Sequence, residues 1–213
     1  MSTAALLIYL VGLAVVFGLR TRLQIRRTGS SGFHGISGAL GSLRWWAGIS
    51  FVAALVIGLA ALILATVDVV PRFSGTPADT AGVVGLVLAV SGFAGVLAAQ
   101  TGMGSSWRIG VKETERTELV TSGLFALVRN PIFTAMAIAQ LGLTLMVPTW
   151  LSVVALLCLV AAVELQVRFI EEPYLLAAHG DSYRDYATAI GRFVPRLGRM
   201  TSREAHIEGA RQG

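Results

Sequence analysis

The 213-residue sequence predicts an all-α integral membrane protein, and three observations support this fold class. Hydrophobic residues make up 54% of the chain and charged residues only 14%, whereas soluble domains usually contain about 25% charged residues. The mean hydropathy is +0.71. The apolar stretches are continuous, and none shows the alternating pattern of a membrane β-barrel. The sequence therefore predicts a bundle of about five transmembrane helices.

Five segments are candidates to cross a bilayer, which requires roughly 20 residues of apolar helix. In chain order they are residues 4–19, 45–67, 81–100, 132–147 and 150–166. The fourth segment is short, and only Pro148 and Thr149 separate it from the fifth, which predicts a helical hairpin. The third carries Ala94, Ala98 and Gly102 at four-residue spacing, which favours close helix packing in membranes.

These segments divide the chain into three parts. Residues 1–100 contain the first three helices and a mobile basic loop at 20–44, which is rich in glycine and serine. Residues 101–199 contain a polar loop, the helical hairpin 131–178 and a C-terminal cap helix, and residues 200–213 form a disordered tail. Arginines cluster in the first and third loops and after the last segment, so the N-terminus is predicted outside and the C-terminus in the cytoplasm.

Charge and cysteine usage narrow the function classes. The net charge of +5 is explained by membrane topology and lipid contact rather than by nucleic-acid binding. Arginine is abundant and Lys112 is the single lysine, which is typical of a GC-rich bacterial genome and predicts an inner-membrane location. The lone Cys158 allows neither an intramolecular disulfide nor a cysteine metal site. The sequence indicates no metal and no obligate protein partner.

Two polar stretches, residues 101–130 and 168–199, lie on the predicted cytoplasmic side, where a soluble cofactor would have to bind. The stretch GMGSSW at 102–107 is not a dinucleotide fingerprint, because it lacks the third glycine and follows an apolar helix instead of a strand. The sequence also contains no phosphate-binding loop and no zinc-protease motif. The candidate chemistry therefore depends on other residues in these two stretches.

Arg129, Asn130 and Pro131 open the fourth apolar segment. Asparagine is a favoured N-cap residue and proline is favoured at the first helical position, so this tripeptide predicts a helix start. The free N–H groups of a helix start, together with the charge of Arg129, also suit a carboxylate or a phosphate. The tripeptide alone leaves both roles open.

A second set of charged residues follows the fifth segment, whose helix is predicted to extend well beyond the membrane until Gly180 ends it. Arg168 precedes Glu171 and Glu172 at three- and four-residue spacing, so on an α-helix it shares a face with each of them. These residues form either a solvated ion-pair surface or a site that needs a cation and a carboxylate beside the lipid. Glu164 is a further candidate, because an acidic residue inside a membrane segment is costly.

Four motifs follow one another in the C-terminal half of the chain. They are residues 119–125 (LVTSGLF), 129–133 (RNPIF), the pair Glu171-Glu172, and 180–186 (GDSYRDY) before Pro195. In order and spacing they resemble the isoprenylcysteine carboxyl methyltransferase family, small membrane methyltransferases related to phospholipid methyltransferases. The stretch MGSSWRIGV at 103–111 is also similar to bacterial members. The resemblance covers about residues 100–199, and the first three segments match in hydropathy alone.

The resemblance implies S-adenosyl-L-methionine bound on the cytoplasmic side and a lipophilic substrate that enters from the bilayer, in contact with membrane lipid. By family position, the residues that bind the cofactor would be Thr117, Glu118, Leu119, Val120, Phe125, Asn130, Pro131, Ile132, Phe133 and Glu171. The catalytic residues would be Arg168, Glu171 and Glu172, and those that meet the substrate would be Trp107, Arg108 and Arg168.

Several positions depart from the family pattern. Thr117 and Asn130 replace the usual histidines, whereas Phe125 and Phe133 replace the usual tyrosines. Asparagine can still donate a hydrogen bond and phenylalanine can still stack, but two hydroxyl groups are lost. Arg168 stands about one residue from its expected position, which affects its substrate role more than it affects the cofactor site.

The resemblance indicates the methyl donor more directly than it indicates the methyl acceptor. Methyl transfer from a sulfonium depends mainly on positioning and electrostatics. A carboxylate is ionised at pH 7 and needs no base, and Arg168 could hold it bidentately, so a carboxyl acceptor is expected. A phenol or an amine would instead need a proton acceptor, for which Glu171, Glu172 and Glu164 are available. Prenyl-cysteine, isoprenoid or fatty acid, phenol and phospholipid amine all stay open.

Two other functions compete with methyl transfer. Sterol-reductase-like membrane enzymes share a related C-terminal architecture and use NADPH, but they are usually longer, and the 2′-phosphate of NADPH favours an arginine cluster. A non-enzymatic transport or scaffold protein is the second alternative. Five spans without an inverted repeat or a pair of broken helices do not favour a carrier.

Overall fold

The structure of the chain is a computed structural model that describes residues 1–29, 39–73, 78–104 and 118–201. Within these ranges every regular element is a helix, which confirms the all-α prediction. Among the described residues, four helices are long and apolar enough to cross a membrane: Ser2–Arg26, Leu43–Thr66, Thr80–Gly102 and Trp150–His179. The predicted fourth span forms a shorter apolar helix.

The described helices are α1 (Ser2–Leu13), α2 (Arg20–Thr28), α3 (Leu43–Thr66), α4 (Ala78–Gly102), α5 (Pro131–Met146), α6 (Trp150–Gln166), α7 (Glu172–His179) and α8 (Asp181–Ala189). Two π-helical segments, Ala14–Leu19 and Val167–Glu171, join α1 to α2 and α6 to α7. A single 3₁₀ turn, Gly123–Ala126, precedes α5. The residues after α8, 190–201, are called the C-terminal segment below.

The first helix is longer than predicted. The predicted mobile loop at 20–44 is wrong over its first part, because α2 continues the helix there for 9 residues. This stretch contains leucine, isoleucine, glutamine and arginine but neither glycine nor proline, so nothing in it breaks a helix. Gly29, at φ 73°, ends it with the left-handed conformation that glycine adopts easily. Residues 30–38 of the predicted loop lie outside the described residues.

The backbones of α4 and α5 lie in direct contact. A Cβ atom on Gly142 would stand 2.3 Å from the backbone nitrogen of Ala89, and one on Gly92 would stand 2.5 Å from that of Ala139. Small residues therefore bring these two helices together, as expected in membranes, but on a different face from the predicted one. The residues of the predicted small stripe are exposed: Ala94, Ala98 and Gly102.

The hairpin of α5 and α6 is asymmetric, as the sequence predicts. α5 has 16 residues, or about 24 Å of helix, whereas the helix from Trp150 to His179 has 30 residues, or about 45 Å. Gly180, at φ 53°, ends the long helix as predicted. Pro173 offers no N–H to the preceding turn, and the π-helical segment just before it accommodates that break in the hydrogen-bond ladder.

α5 lies at the centre of the bundle. It contributes Leu143 to a core cluster with α1, α3 and α4, Phe133 to one with α3 and α6, and Ala135 to one with α4 and the π-helical segment that follows α1. Cys158 is a free, half-buried cysteine that packs beside the second of these clusters. The start of α5 is thus fixed by neighbours on several sides, which makes it a rigid base for a site.

Candidate functional site

The start of α5 is tied to the C-terminal segment by main-chain hydrogen bonds. The N–H of Arg129 donates to the carbonyl of Gly191 at 2.8 Å, and that of Asn130 donates to the carbonyl of Arg192 at 3.1 Å. A Cβ atom on Gly191 would lie 2.2 Å from the carbonyl oxygen of Val194, so only glycine allows the chain to turn there. The helix start is therefore part of a two-segment junction.

Asn130 occupies the N-cap position and Pro131 the first turn of α5, as the sequence predicts. The expected side-chain cap is absent, however, and this part of the prediction is wrong. The Asn130 amide Nδ2 instead donates to the carbonyl of Arg192 at 3.2 Å. The C-terminal segment offers that carbonyl beside the helix start, and sequence-local capping rules do not include such a distant partner.

Arg129 binds other parts of the protein rather than solvent. Its side chain is only 1% exposed, and its Nη1 lies 2.7 Å from Oε1 of Glu172. The same Nη1 donates to the Tyr183 hydroxyl at 3.2 Å, and Nη2 donates to the carbonyl of Gly198 at 2.9 Å. Burial raises the pKa of Tyr183, so its hydroxyl stays neutral and accepts the bond. Arg129 thus connects α5, α7, α8 and the C-terminal segment.

Glu172 is shared between two arginines. Nε and Nη2 of Arg192 donate to its two carboxylate oxygens, each at 2.8 Å, in addition to the contact with Arg129. These hydrogen bonds hold the pKa of the Arg192 guanidinium above its ordinary value. We call Arg129, Glu172 and Arg192 the arginine–glutamate cluster. Both oxygens of Glu172 are occupied by arginines in a buried setting, an arrangement that is typical of a structural ion pair. The catalytic role that the resemblance assigns to Glu172 stays a prediction.

Glu171 has different surroundings from its neighbour. It is half-buried, and Gln166 Nε2 donates to its Oε1 at 3.3 Å. The two residues are five apart, which is the hydrogen-bond spacing of the π-helical segment that contains Glu171. In the part of the chain that the structure describes, no arginine forms an ion pair with Glu171. Its carboxylate is therefore the one of the predicted pair that is available to a ligand.

Arg168 is not positioned as the sequence predicts. Its guanidinium pairs with Glu164, one α-helical turn back, and its side chain is 50% exposed. The expected shared face with Glu171 and Glu172 depends on α-helical spacing, and the π-helical segment changes that spacing at Arg168 itself. Among the described residues, Arg168 contacts neither of the two glutamates. The predicted group of one cation and two carboxylates is thus split.

The predicted cofactor residues are only partly brought together. Phe125 is buried, and its carbonyl accepts a hydrogen bond of 2.6 Å from the Tyr186 hydroxyl. Leu119 packs against the cluster of Leu176 and Tyr183. Burial raises the pKa of the Tyr186 hydroxyl to about 12, which keeps it a neutral donor. The 119–125 motif therefore lies beside α8, on the same side as the arginine–glutamate cluster.

The remaining predicted residues are spread more widely. Ile132 packs into the cluster shared with α4 and the π-helical segment that follows α1, whereas Phe133 packs into the one shared with α3 and α6. Glu118 is exposed and Val120 is half-buried. Thr117, Trp107 and Arg108 lie outside the described residues. Ile132 and Phe133 therefore do not line the same surface of α5.

An apolar cavity of about 340 Å³ opens beside this junction. It lies between α4, the stretch 124–128, the first turns of α5 and the C-terminal segment. Residues from all four parts line it, among them Ser91, Gly95, Val128, Pro131, Ile138 and Phe193. Pro131 and Phe193 directly follow Asn130 and Arg192, whose hydrogen bonds join the two segments.

A protein-family model matches part of this chain. The model of the phospholipid methyltransferase family matches residues 80–182, from the start of α4 to the start of α8. Residues 80–182 are therefore similar to the phospholipid methyltransferase family. No curated protein and no solved structure matches the chain. Together with the four apolar helices, the family indicates an integral membrane methyltransferase.

The phospholipid methyltransferase segment ends before several residues that complete the site. Arg192, Gly191 and Gly198 all contact the start of α5, yet they follow the matched residues. Pro195 belongs to the motifs that resemble the family, whereas no motif in the sequence assigns a role to Arg192. The sequence does contain a hint of this role. Arg192 follows the motif at 180–186 closely, and arginine is the residue that most often pairs with a buried carboxylate.

Proposed function

We propose that the protein transfers a methyl group from S-adenosylmethionine to a lipophilic acceptor at the membrane. The observation that carries the proposal is the half-buried carboxylate of Glu171, which no arginine neutralises among the described residues. A carboxylate in such a setting favours a cation beside it. The sulfonium and the amino group of S-adenosylmethionine are both cationic. The methyltransferase family of residues 80–182 supports the same reading.

The chemistry of Glu171 and Phe125 fits this cofactor. Glu171 would hold its cationic groups, and Phe125 would contribute an apolar surface that Tyr186 connects to α8. When bound, the cofactor would supply an activated methyl group for transfer to the acceptor. The chain would contribute alignment of the two reacting atoms and a negative charge near the sulfonium. The arginine–glutamate cluster would keep the α5 start and α7 in register for this alignment.

For the acceptor, the described geometry favours a lipid-borne amine over the carboxylate that the sequence favours. A carboxylate needs a cation to hold it, but Arg129 and Arg192 are occupied by Glu172, and Arg168 pairs with Glu164 on the surface. Arg108 lies outside the described residues. An amine needs a group that accepts its proton, and of the three glutamates Glu171 alone has no arginine partner there.

Cofactor binding tests the donor. Calorimetry on the detergent-purified protein is expected to give binding of S-adenosylmethionine and of S-adenosylhomocysteine, and weak binding or none of NADPH. Glu171→Gln is expected to weaken S-adenosylmethionine binding by about tenfold or more, because hydrogen bonds to charged groups contribute about 1.5–3 kcal/mol. Glu164→Gln, the same change on the exposed surface of the same long helix, is the control and should leave affinity unchanged.

The outcomes separate the competing functions. Tight NADPH binding without binding of either methyl-cofactor form would favour a reductase and overturn the proposal. Equal affinity in wild type and Glu171→Gln would remove Glu171 from the cofactor site. Binding of none of the three ligands would favour a non-enzymatic membrane protein.

Transfer of a radiolabelled methyl group tests the acceptor. The purified protein is placed in nanodiscs that contain phosphatidylethanolamine, palmitic acid or a farnesylated cysteine, in separate reactions. Label in the amine headgroup is expected. Label in palmitic acid or in the farnesylated cysteine instead would restore the carboxyl acceptor that the sequence favours.

Orientation is part of the proposal, because the cofactor is soluble and we place its site in the cytoplasm. Ser182 and Thr80 are exposed and lie near opposite ends of the bundle. In a Cys158→Ser background, Thr80→Cys should react with an impermeant maleimide added to intact cells, whereas Ser182→Cys should react only after lysis. The reverse pattern would overturn the positive-inside assignment.

A further inference from the structure

Gln140 places a polar side chain in the interior of the bundle. The residue is only 7% exposed. Its main-chain carbonyl accepts a hydrogen bond of 2.9 Å from the Thr144 hydroxyl, but within the described residues its side-chain amide has no hydrogen-bond partner. Buried polar side chains almost always have a partner, which is either another protein group or an ordered water. The amide of Gln140 therefore points to a ligand that the chain itself does not supply.

A small cavity lies beside this residue. Residues of α1, α3, α4, α5 and α6 line it, and among them Tyr9 and Gln140 are the ones with polar side chains. Its volume is about 20 Å³, counted as the space open to the centre of a water molecule, and one water needs roughly 10–15 Å³ on that measure. The cavity therefore has room for one water and is too small for an organic ligand.

Tyr9 and Gln140 approach each other beside a glycine of α3. A Cβ atom on Gly58 would stand 3.4 Å from the Tyr9 hydroxyl and 3.4 Å from Oε1 of Gln140. The two oxygens therefore lie within twice that distance of each other, and no direct hydrogen bond joins them among the described residues. A gap of this size between two polar groups is one that a water molecule commonly bridges.

We propose that this cavity is a binding site for one water molecule, which hydrogen-bonds to the Tyr9 hydroxyl and to the Gln140 amide. The Tyr9 hydroxyl donates its hydrogen to the Leu55 carbonyl at 2.7 Å, so its oxygen accepts a bond from the water. The amide of Gln140 offers both donors and an acceptor, and it supplies the remaining bonds. The water then has the two to four partners that are usual for buried water.

The site joins helices from two parts of the chain. Tyr9 lies in α1 and Leu55 in α3, both before the matched residues 80–182, whereas Gln140 lies in α5 within them. Because lipid is as apolar as the helix surfaces, polar contacts help to hold membrane helices together. The bound water therefore holds α1 and α3 against α5. This role does not depend on the methyl transfer proposed above.

A crystal structure of the full-length protein grown from a lipidic phase, at a resolution that shows ordered water, tests the site directly. A density peak is expected within about 2.5–3.2 Å of both the Tyr9 hydroxyl and the Gln140 amide. Gln140→Met keeps the side-chain length and should lose the peak, whereas Thr144→Val, at the same 7% exposure on the same helix, should keep it. No peak in the wild-type cavity, a direct hydrogen bond between Tyr9 and Gln140, or a peak that persists in Gln140→Met would overturn the inference.

Thermal unfolding in detergent tests whether Tyr9 and Gln140 act through a shared partner. Tyr9→Phe is expected to lower the melting temperature by about 2–4 °C more in the wild-type background than in Gln140→Met, because the hydroxyl has no bridging water to bind once the amide is gone. Thr144→Val is the control background, since its hydroxyl bonds to the carbonyls of Gln140 and Ser152 and does not line the cavity. Tyr9→Phe should have its full effect there. Equal effects in wild type and in Gln140→Met would overturn the inference.

Discussion

Two arginine–glutamate contacts on the same long helix differ mainly in burial. Glu164 and Arg168 pair on its surface, with side chains 36% and 50% exposed. Glu172, further along, is 6% exposed and receives two arginines from elsewhere in the chain. An exposed pair typically contributes about 0–1 kcal/mol, whereas removing one partner of a buried pair typically costs about 3–5 kcal/mol. Two glutamates that lie close together in the sequence and both pair with arginine are therefore expected to contribute very different free energies to stability.

The largest effect is expected for Glu172→Gln. The change leaves Arg129 and Arg192 close together in a buried place without their common counter-charge. The free energy of unfolding is expected to fall by about 3–5 kcal/mol, measured by titration of the detergent-solubilised protein with SDS. Glu164→Gln should change it by less than about 1 kcal/mol. Similar values for the two variants would remove the distinction between the pairs.

The next largest effect on stability is expected for Arg192→Lys. Lysine keeps the charge but cannot make the two parallel bonds that Nε and Nη2 make to Glu172. A loss of about 1.5–3 kcal/mol is expected, together with weaker cofactor binding because the α5 start is held less firmly. Arg168→Lys is the matched control on the surface. If the two lysine variants unfold at the same temperature, the forked contact is not important.

Asn130→Ser tests the link between the cluster and the helix start. The sequence alone predicts a neutral change, because serine caps a helix about as well as asparagine. In the structure Asn130 does not cap, and serine would lose its bond to the Arg192 carbonyl. A loss of about 0.5–1.5 kcal/mol is therefore expected without any ligand, measured by thermal unfolding in detergent. Unchanged stability in the absence of ligand would restore the sequence-based view.

The smallest effect is expected for Arg168→Gln. The substitution breaks only the exposed pair with Glu164, so stability should change by less than about 1 kcal/mol. Affinity for S-adenosylmethionine, measured by calorimetry, should also stay as in wild type, because Arg168 contacts neither Glu171 nor Glu172. A large loss of methyl transfer in this variant would return Arg168 to the substrate site that the family resemblance assigns to it.

The sequence alone determined the fold class, most helix positions and the similarity of the C-terminal half to a methyltransferase family. These features depend on local properties: continuous apolar runs, a proline at a helix start, and glycines at φ 73° and 53° that end two helices. The length of the last long helix follows from the same information. The loop predicted at 20–44 is wrong over residues 20–28, which form a helix. The Gly/Ser-rich composition of the whole stretch predicted a loop, but residues 20–28 contain no glycine or proline and have good helix propensity.

Tertiary structure decided which polar residues meet. Small residues occur on several faces of α4, and only its packing on α5 selects Gly85, Ala89 and Gly92 over the predicted stripe. The π-helical segment changes the spacing of residues on the helix at Arg168. Arg168 therefore pairs with Glu164 rather than with Glu171 or Glu172, the partners that α-helical spacing predicts. Glu172 receives arginines from two distant parts of the chain, and spacing along the sequence contains no information about such contacts. Glu172 is therefore buried and paired with two arginines, whereas Glu171 forms no ion pair among the described residues.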